Sequence, residues 1–93
     1  NICMAHKGEE TLLAELEKAK SLMEIGGLYT HYKSTDKQYK VTQIAILEAT
    51  DELCVIYQAQ YGKKLSFVRP LASWLETVKW QNNAVPRFTK IKS

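Results

Sequence analysis

Two histidines, two cysteines and a few scattered acids are the groups in this 93-residue chain that could do covalent or acid–base chemistry. A nucleophile needs a base within hydrogen-bond reach. Cys54 stands between Leu53 and Val55 in a β-rich stretch, where a buried, inert thiol is the common outcome. His31 lies among aromatic residues in Tyr29-Thr30-His31-Tyr32. There it could act as the general base of a small-molecule enzyme, and it could equally complete a hydrogen bond of the fold. Asp36, Glu48, Asp51, Glu52 and Glu76 fall in loops or at element ends, and no spacing forces two of them together. No catalytic residue is assigned on these grounds. Cys3, His6, His31 and Cys54 lack the close paired spacing of a zinc site, and no metal is assigned either. Neither a phosphate loop nor a dinucleotide fingerprint occurs, so no cofactor is expected.

Binding is the stronger prospect. Five Tyr, two Trp and two Phe make the chain 10% aromatic, a generous share for its length. Small β modules recognise peptides, methylated cations or nucleic acid through exposed rings beside charges. The candidate ligand-binding residues are His31, Tyr32, Lys33, Tyr61, Arg69, Trp74 and Arg87, with Tyr29 beside them. The competing reading is that these rings fill a small core, because aromatics bury the most area per residue.

Charge bears on the partner. Residues 1–27 hold three bases and five acids, residues 28–93 hold ten bases and five acids, and no acid follows Glu76. The basic portion permits attraction to a polyanion through Lys33, Arg69, Arg87, Lys90 and Lys92. An ordinary solvated surface would look the same. The expected partners are therefore a peptide or a nucleic acid. Apolar runs reach only four residues, as in Ile44-Ala45-Ile46-Leu47, so no membrane is expected as a partner.

These residues need a scaffold. The chain is 45% hydrophobic and 25% charged, an ordinary globular balance, and its length allows one core. Residues 9–24 form an amphipathic helix, with Leu12, Leu16, Ala19 and Met23 on one stripe and Gly26-Gly27 as the stop. The stripe must dock on the rest of the fold or on a second copy, which would make a homodimer.

Strand signals follow. They are Leu28–Lys33, Tyr39–Glu48, Leu53–Tyr61, Leu65–Arg69 and a final hairpin of Thr77–Trp80 with Val85–Phe88. Ser34–Lys37 is expected as a polar loop and Leu71–Glu76 as one helical turn. Val41 and Ile44 differ by three positions, which calls for a bulge. The expected core is Val41, Ile44, Ile46, Val55, Tyr57, Val68, Leu71, Leu75, Val78, Val85 and Phe88. This pattern is mainly β. It fits a closed or nearly closed antiparallel barrel of about five strands behind an N-terminal α-helix, or an open sheet covered by that helix.

The ordered strand residues carry a resemblance. Gly27-Leu28-Tyr29-Thr30-His31-Tyr32-Lys33, Tyr39-Lys40-Val41, Val55–Gly62, Phe67-Val68-Arg69-Pro70-Leu71 and Val85-Pro86-Arg87-Phe88 together resemble the bacterial family called Domain of Unknown Function 1653. The likeness covers roughly residues 26–91. It implies a short, stand-alone protein with an SH3-like barrel, and it implies no activity, substrate or cofactor. On that basis residues 1–25 are an N-terminal extension and residues 26–93 the barrel domain. The sequence begins at Asn1, as a trimmed chain or part of a longer one would. Residues 1–24 lack the apolar core of a secretory signal, and two distant cysteines suit a reducing cytoplasm.

Overall fold

The computed structural model describes residues 7–92, with Lys92 as backbone only, so the readings of Cys3 and His6 lie outside the described residues. Helix α1 spans Glu9–Leu22, with Glu9 and Glu10 in its first turn and Lys20 in its last, each favourable to the helix dipole. Ala19 is buried in α1, and Met23, just past its end, is buried too; Leu16 packs against the same core. The stripe therefore docks on the sheet of its own chain. Met23 is already extended, so the helix stops two residues sooner than its apolar period suggests. Gly26 then turns the chain at φ +90°, a conformation that a Cβ disfavours. Gly26 N–H donates to Val41 O at 2.7 Å and Val41 N–H to Gly27 O at 3.1 Å, which ties this turn to the sheet.

The remaining elements are β1 (Leu28–His31), β2 (Ser34–Leu47), β3 (Glu52–Ala59), β4 (Ser66–Pro70), α2 (Leu71–Trp74), β5 (Thr77–Trp80), β6 (Asn83–Pro86) and β7 (Phe88–Lys92). Five of them form an antiparallel sheet in the order β4-β3-β2-β1-β7, while β5 and β6 pair as a separate hairpin. The protein is mainly β with an N-terminal helix, as its patterning requires, but the sheet does not close into a barrel. Pro70 has no N–H to extend the ladder and leads into α2. The chain then returns as β7 onto β1 and leaves β4 as an edge. The two edges approach through side chains alone, with the Arg69 guanidinium 5.5 Å from the centre of the Phe88 ring.

Register explains which residues face inward. The pairing of β2 with β3 slips between Val41 and Gln43, the bulge that the three-residue spacing demands. Val41 then lies opposite Tyr57 and Ile44 opposite Val55, and all four are buried. On β4, Phe67 pairs with Tyr57 and Arg69 with Val55, so Val68 faces the other way and is 66% exposed. The expectation that Val68 is core is thus wrong by one step of the strand period. Leu75 is also exposed, because Trp74 is the residue that α2 turns inward.

Ser34–Lys37 is not a free loop: β2 begins at Ser34, and a register jump after Thr30↔Gln38 absorbs the extra residues. In the final hairpin, Gln81 and Asn82 have φ of 51° and 69°, the two positive values of a type I′ turn. The expected arm Val85–Phe88 is divided after Pro86, and Phe88 opens β7, a strand that the sequence pattern does not announce.

Candidate functional site

Two pockets among the described residues reach the aromatic core. A larger one of about 650 Å³ lies beside the end of α1, with Tyr29, Phe88 and Lys90 in its lining. The candidate site, of about 200 Å³, is lined by His31, Tyr39, Tyr57, Phe67, Arg69 and Phe88. Every strand of the main sheet contributes: β1 gives His31, β2 Tyr39, β3 Tyr57, β4 Phe67 and Arg69, and β7 Phe88. These residues are far apart in sequence, and the register places them on one face. His31 pairs with Phe88, and Tyr57 with Phe67.

Behind the pocket, Trp74 stacks flat on Phe88, with ring centres 3.7 Å apart and planes within 8°. Edge-on contacts of Trp74 with Tyr57 at 4.9 Å and with Tyr29 at 5.4 Å lock the stack into the core. Such edge-to-face pairs suit the quadrupoles of the rings.

The polar groups are also fixed. Ser73 of α2 holds both arginines: its Oγ accepts from Arg69 Nη1 at 2.9 Å, and its carbonyl accepts from Arg87 Nε at 3.0 Å. Arg69 Nε also points to the Tyr57 hydroxyl at 3.5 Å. Arg87 has a carboxylate partner in Glu76, at 2.7 Å. Arg69 has no carboxylate partner among the described residues, and its positive charge is held by neutral groups.

The Lys33 N–H donates to His31 Nδ1 at 3.2 Å, which leaves the proton of the neutral imidazole on Nε2. Partial burial and the nearby charges of Arg69, Arg87 and Lys33 hold His31 below its ordinary value of 6.5. The imidazole is therefore largely neutral at pH 7.

The rim repeats one motif. Tyr32 lies 4.6 Å from the His31 ring and carries Lys33 over its own face at 5.7 Å. Tyr61 shares a 2.8 Å hydroxyl–hydroxyl hydrogen bond with Tyr39 and carries Lys37 at 5.1 Å. Burial and the Tyr61 hydroxyl push the Tyr39 pKa up to about 12. With Arg69 over Phe88, three ring–cation pairs surround the pocket.

Of the sequence candidates, His31 and Arg69 line the pocket, Tyr32, Lys33 and Tyr61 abut its lining, and Arg87 supports it from the side. Trp74 and Tyr29 are buried, at 3% and 5% exposure, and neither lines this pocket. Tyr39 and Phe67 are pocket residues that sequence reasoning does not single out. The signal for Phe67 lies two residues before Arg69, on the same face of one short strand.

The pocket lining contains no carboxylate and no thiol. Cys54 is buried on β3, and burial, with the nearby Glu52 charge, pushes its thiol up, the direction that lowers reactivity. Among the described residues, no group of three His, Cys, Asp or Glu could hold a metal ion. No helix among them is long and apolar enough to cross a membrane.

Fold and site together define a small, mainly β domain with an aromatic, cation-flanked pocket at the mouth of an unclosed sheet. The chain belongs to the DUF1653 family of proteins of unknown function, whose model matches residues 27–90. It is similar to a DUF1653 protein from Bordetella bronchiseptica known from a crystal structure. Sequence identity is 32%, the match covers 72% of this chain and 86% of that one, and the TM-score is 0.63. No curated protein matches the chain.

Proposed function

We propose that this domain is a recognition module for single-stranded nucleic acid, with one nucleotide seated in the pocket of His31, Tyr39, Tyr57, Phe67, Arg69 and Phe88. The observation that carries the reading is Arg69, a half-buried guanidinium without a carboxylate partner among the described residues, held by Ser73 and Tyr57 at the wall of an aromatic pocket. A site of this kind suits a planar group joined to an anion. Stacking of a base on an aromatic side chain is worth about 1–3 kcal/mol and tolerates any sequence. The guanidinium supplies directed donors for phosphate. Lys33 and Lys37, each over an aromatic ring at the rim, add charge along the path of a backbone. Recognition of a methylated cation fits poorly, since Arg69 already covers the Phe88 face and would repel it.

One observation favours a second reading. Edge strand β4 exposes Phe67 and Val68, at 42% and 66%, and Leu65 just before it is 61% exposed. An extended peptide adding to that edge would cover them.

The test is an anisotropy titration of labelled single-stranded RNA and DNA at several salt concentrations, with an unlabelled extended apolar peptide as competitor. About three phosphate contacts give a slope of log affinity against log salt near roughly −2 for a single strand. Phe67→Ala should weaken binding with the slope unchanged, and Lys37→Gln should reduce the slope. Absence of binding at low salt removes nucleic acid. Salt-independent binding of the peptide would transfer the function to β4.

A further inference from the structure

Positive charge at this pocket exceeds what one internal phosphodiester requires. His31 faces Arg69 from β4, Arg87 from the junction of β6 and β7, and Lys33 from the turn between β1 and β2. The neutral hydroxyls of Tyr39 and Tyr57 complete its polar surroundings. Glu76 offsets Arg87 alone. Arg69 and Lys33 are left without carboxylate partners among the described residues, next to an imidazole that can take up a proton. One wall of the pocket is closed, since Phe88 is backed by Trp74 at stacking distance. The pocket volume of about 200 Å³ suits one nucleotide unit better than a continuous strand entering and leaving.

We infer that the pocket takes the end of a strand, with a terminal phosphate monoester at Arg69, His31 and Lys33 and the terminal base against Phe67 and Tyr39. This rests on the nucleic-acid reading above and narrows it to one chemical feature. A monoester carries about −1.5 to −2 charges near neutral pH, against −1 for a diester, and offers three acceptor oxygens. Arg69 and the Nε2–H of His31 are directed donors for them, and Lys33 is a mobile charge at the mouth. Binding and protonation of His31 are then linked, and each favours the other. Partial burial and the three cations hold the free imidazole low, and a bound dianion opposes the effect of those cations.

The experiment compares one short single-stranded oligonucleotide in three forms, with a 5′-phosphate, with a 3′-phosphate and with hydroxyl ends. The corresponding nucleoside monophosphate and inorganic phosphate serve as separate ligands. One phosphorylated form should bind at least tenfold tighter than the hydroxyl form. That advantage should shrink in Lys33→Gln, whose side chain is exposed and whose fold is not at risk, and vanish in Arg69→Gln. The His31 ring should titrate at higher pH in the complex, followed by NMR. His31→Gln should retain only the pH dependence of the phosphate itself. Equal affinity for phosphorylated and hydroxyl strands overturns the end-recognition inference and leaves the single-strand reading standing. No binding by any strand overturns both. A monophosphate that binds as tightly as the phosphorylated strand overturns strand recognition in favour of a small-molecule phosphate site.

Discussion

Truncating Trp74 to alanine tests the claim on which the site's architecture depends, that this ring is structure and not a binding surface. Trp74 is 3% exposed, stacks on Phe88 at 3.7 Å and meets Tyr57 and Tyr29 edge-on. Trp→Ala at a buried position costs about 3–5 kcal/mol through lost transfer energy and the cavity left behind. A domain of this length has a total stability of roughly 5–14 kcal/mol, so the variant keeps a fraction of it or unfolds. For domains of this size each kcal/mol moves Tm by about 4–8 °C, so the fall should be at least ~12 °C. Urea unfolding followed by far-ultraviolet circular dichroism is the assay, since the substitution removes one of the two tryptophans. The midpoint should drop with little change in m, as expected when stability alone is altered. Trp80→Ala is the control. Trp80 is 36% exposed and touches Tyr32 edge-on at 5.3 Å, so its loss should cost about 1 kcal/mol or less. A Trp74→Ala midpoint within error of the parent would refute the buried stack and return Trp74 to the list of binding residues.

Three further outcomes follow from the geometry. Leu16 packs on the core whereas Leu13 is 56% exposed, so Leu16→Glu should cost about 1–2 kcal/mol and Leu13→Glu should stay within ~0.5; equal costs would mean that the helix face is misassigned. His31 is held below 6.5 in the folded state, so between its folded value and 6.5 the unfolded chain binds more protons and stability falls as pH drops through that window. His31→Gln should flatten that limb of the stability profile, and a folded-state NMR midpoint at or above 6.5 would contradict the cation cluster. Tyr61→Phe should bring the Tyr39 pKa down from about 12 without restoring the ordinary value, because burial remains the larger cause; ultraviolet titration of the phenols measures it.

The fold was legible where local pattern and global packing agree. The helix stripe, the alternation Leu53, Val55, Tyr57, Ala59 and the bulge between Val41 and Ile44 all express periods that the backbone imposes, and the sheet uses each of them. Strand β7 was not legible: Phe88–Lys92 is short and basic, and its only apolar members are Phe88 and Ile91. It becomes a strand by pairing with β1, a contact that spans most of the chain. Closure depends on that same long-range choice, so counting strands cannot decide between a barrel and an open sheet. Half of the site was legible for a similar reason. Polar and charged residues near aromatics, such as His31, Lys33 and Arg69, announce themselves by type. Tyr39 and Phe67 join them only through the register of β2, β3 and β4.

The same register separates the two arginines among the sequence candidates. Arg87 follows Pro86 and precedes the start of β7; its backbone N–H donates to Glu76 O and its carbonyl accepts from Tyr32 N–H, at 2.9 and 3.0 Å. With Nη2 on the Glu76 carboxylate and Nε on Ser73 O, it joins the hairpin and α2 to the end of β1. Its charge is already balanced, so its contribution is to hold Ser73 and Tyr32 in place. Ser73 in turn fixes Arg69, whose charge is not balanced by any carboxylate among the described residues. A charge held in a half-buried position by neutral groups is costly unless something completes it. Arg87 thus organises the pocket, and Arg69 is the charge that the proposed ligand would complete.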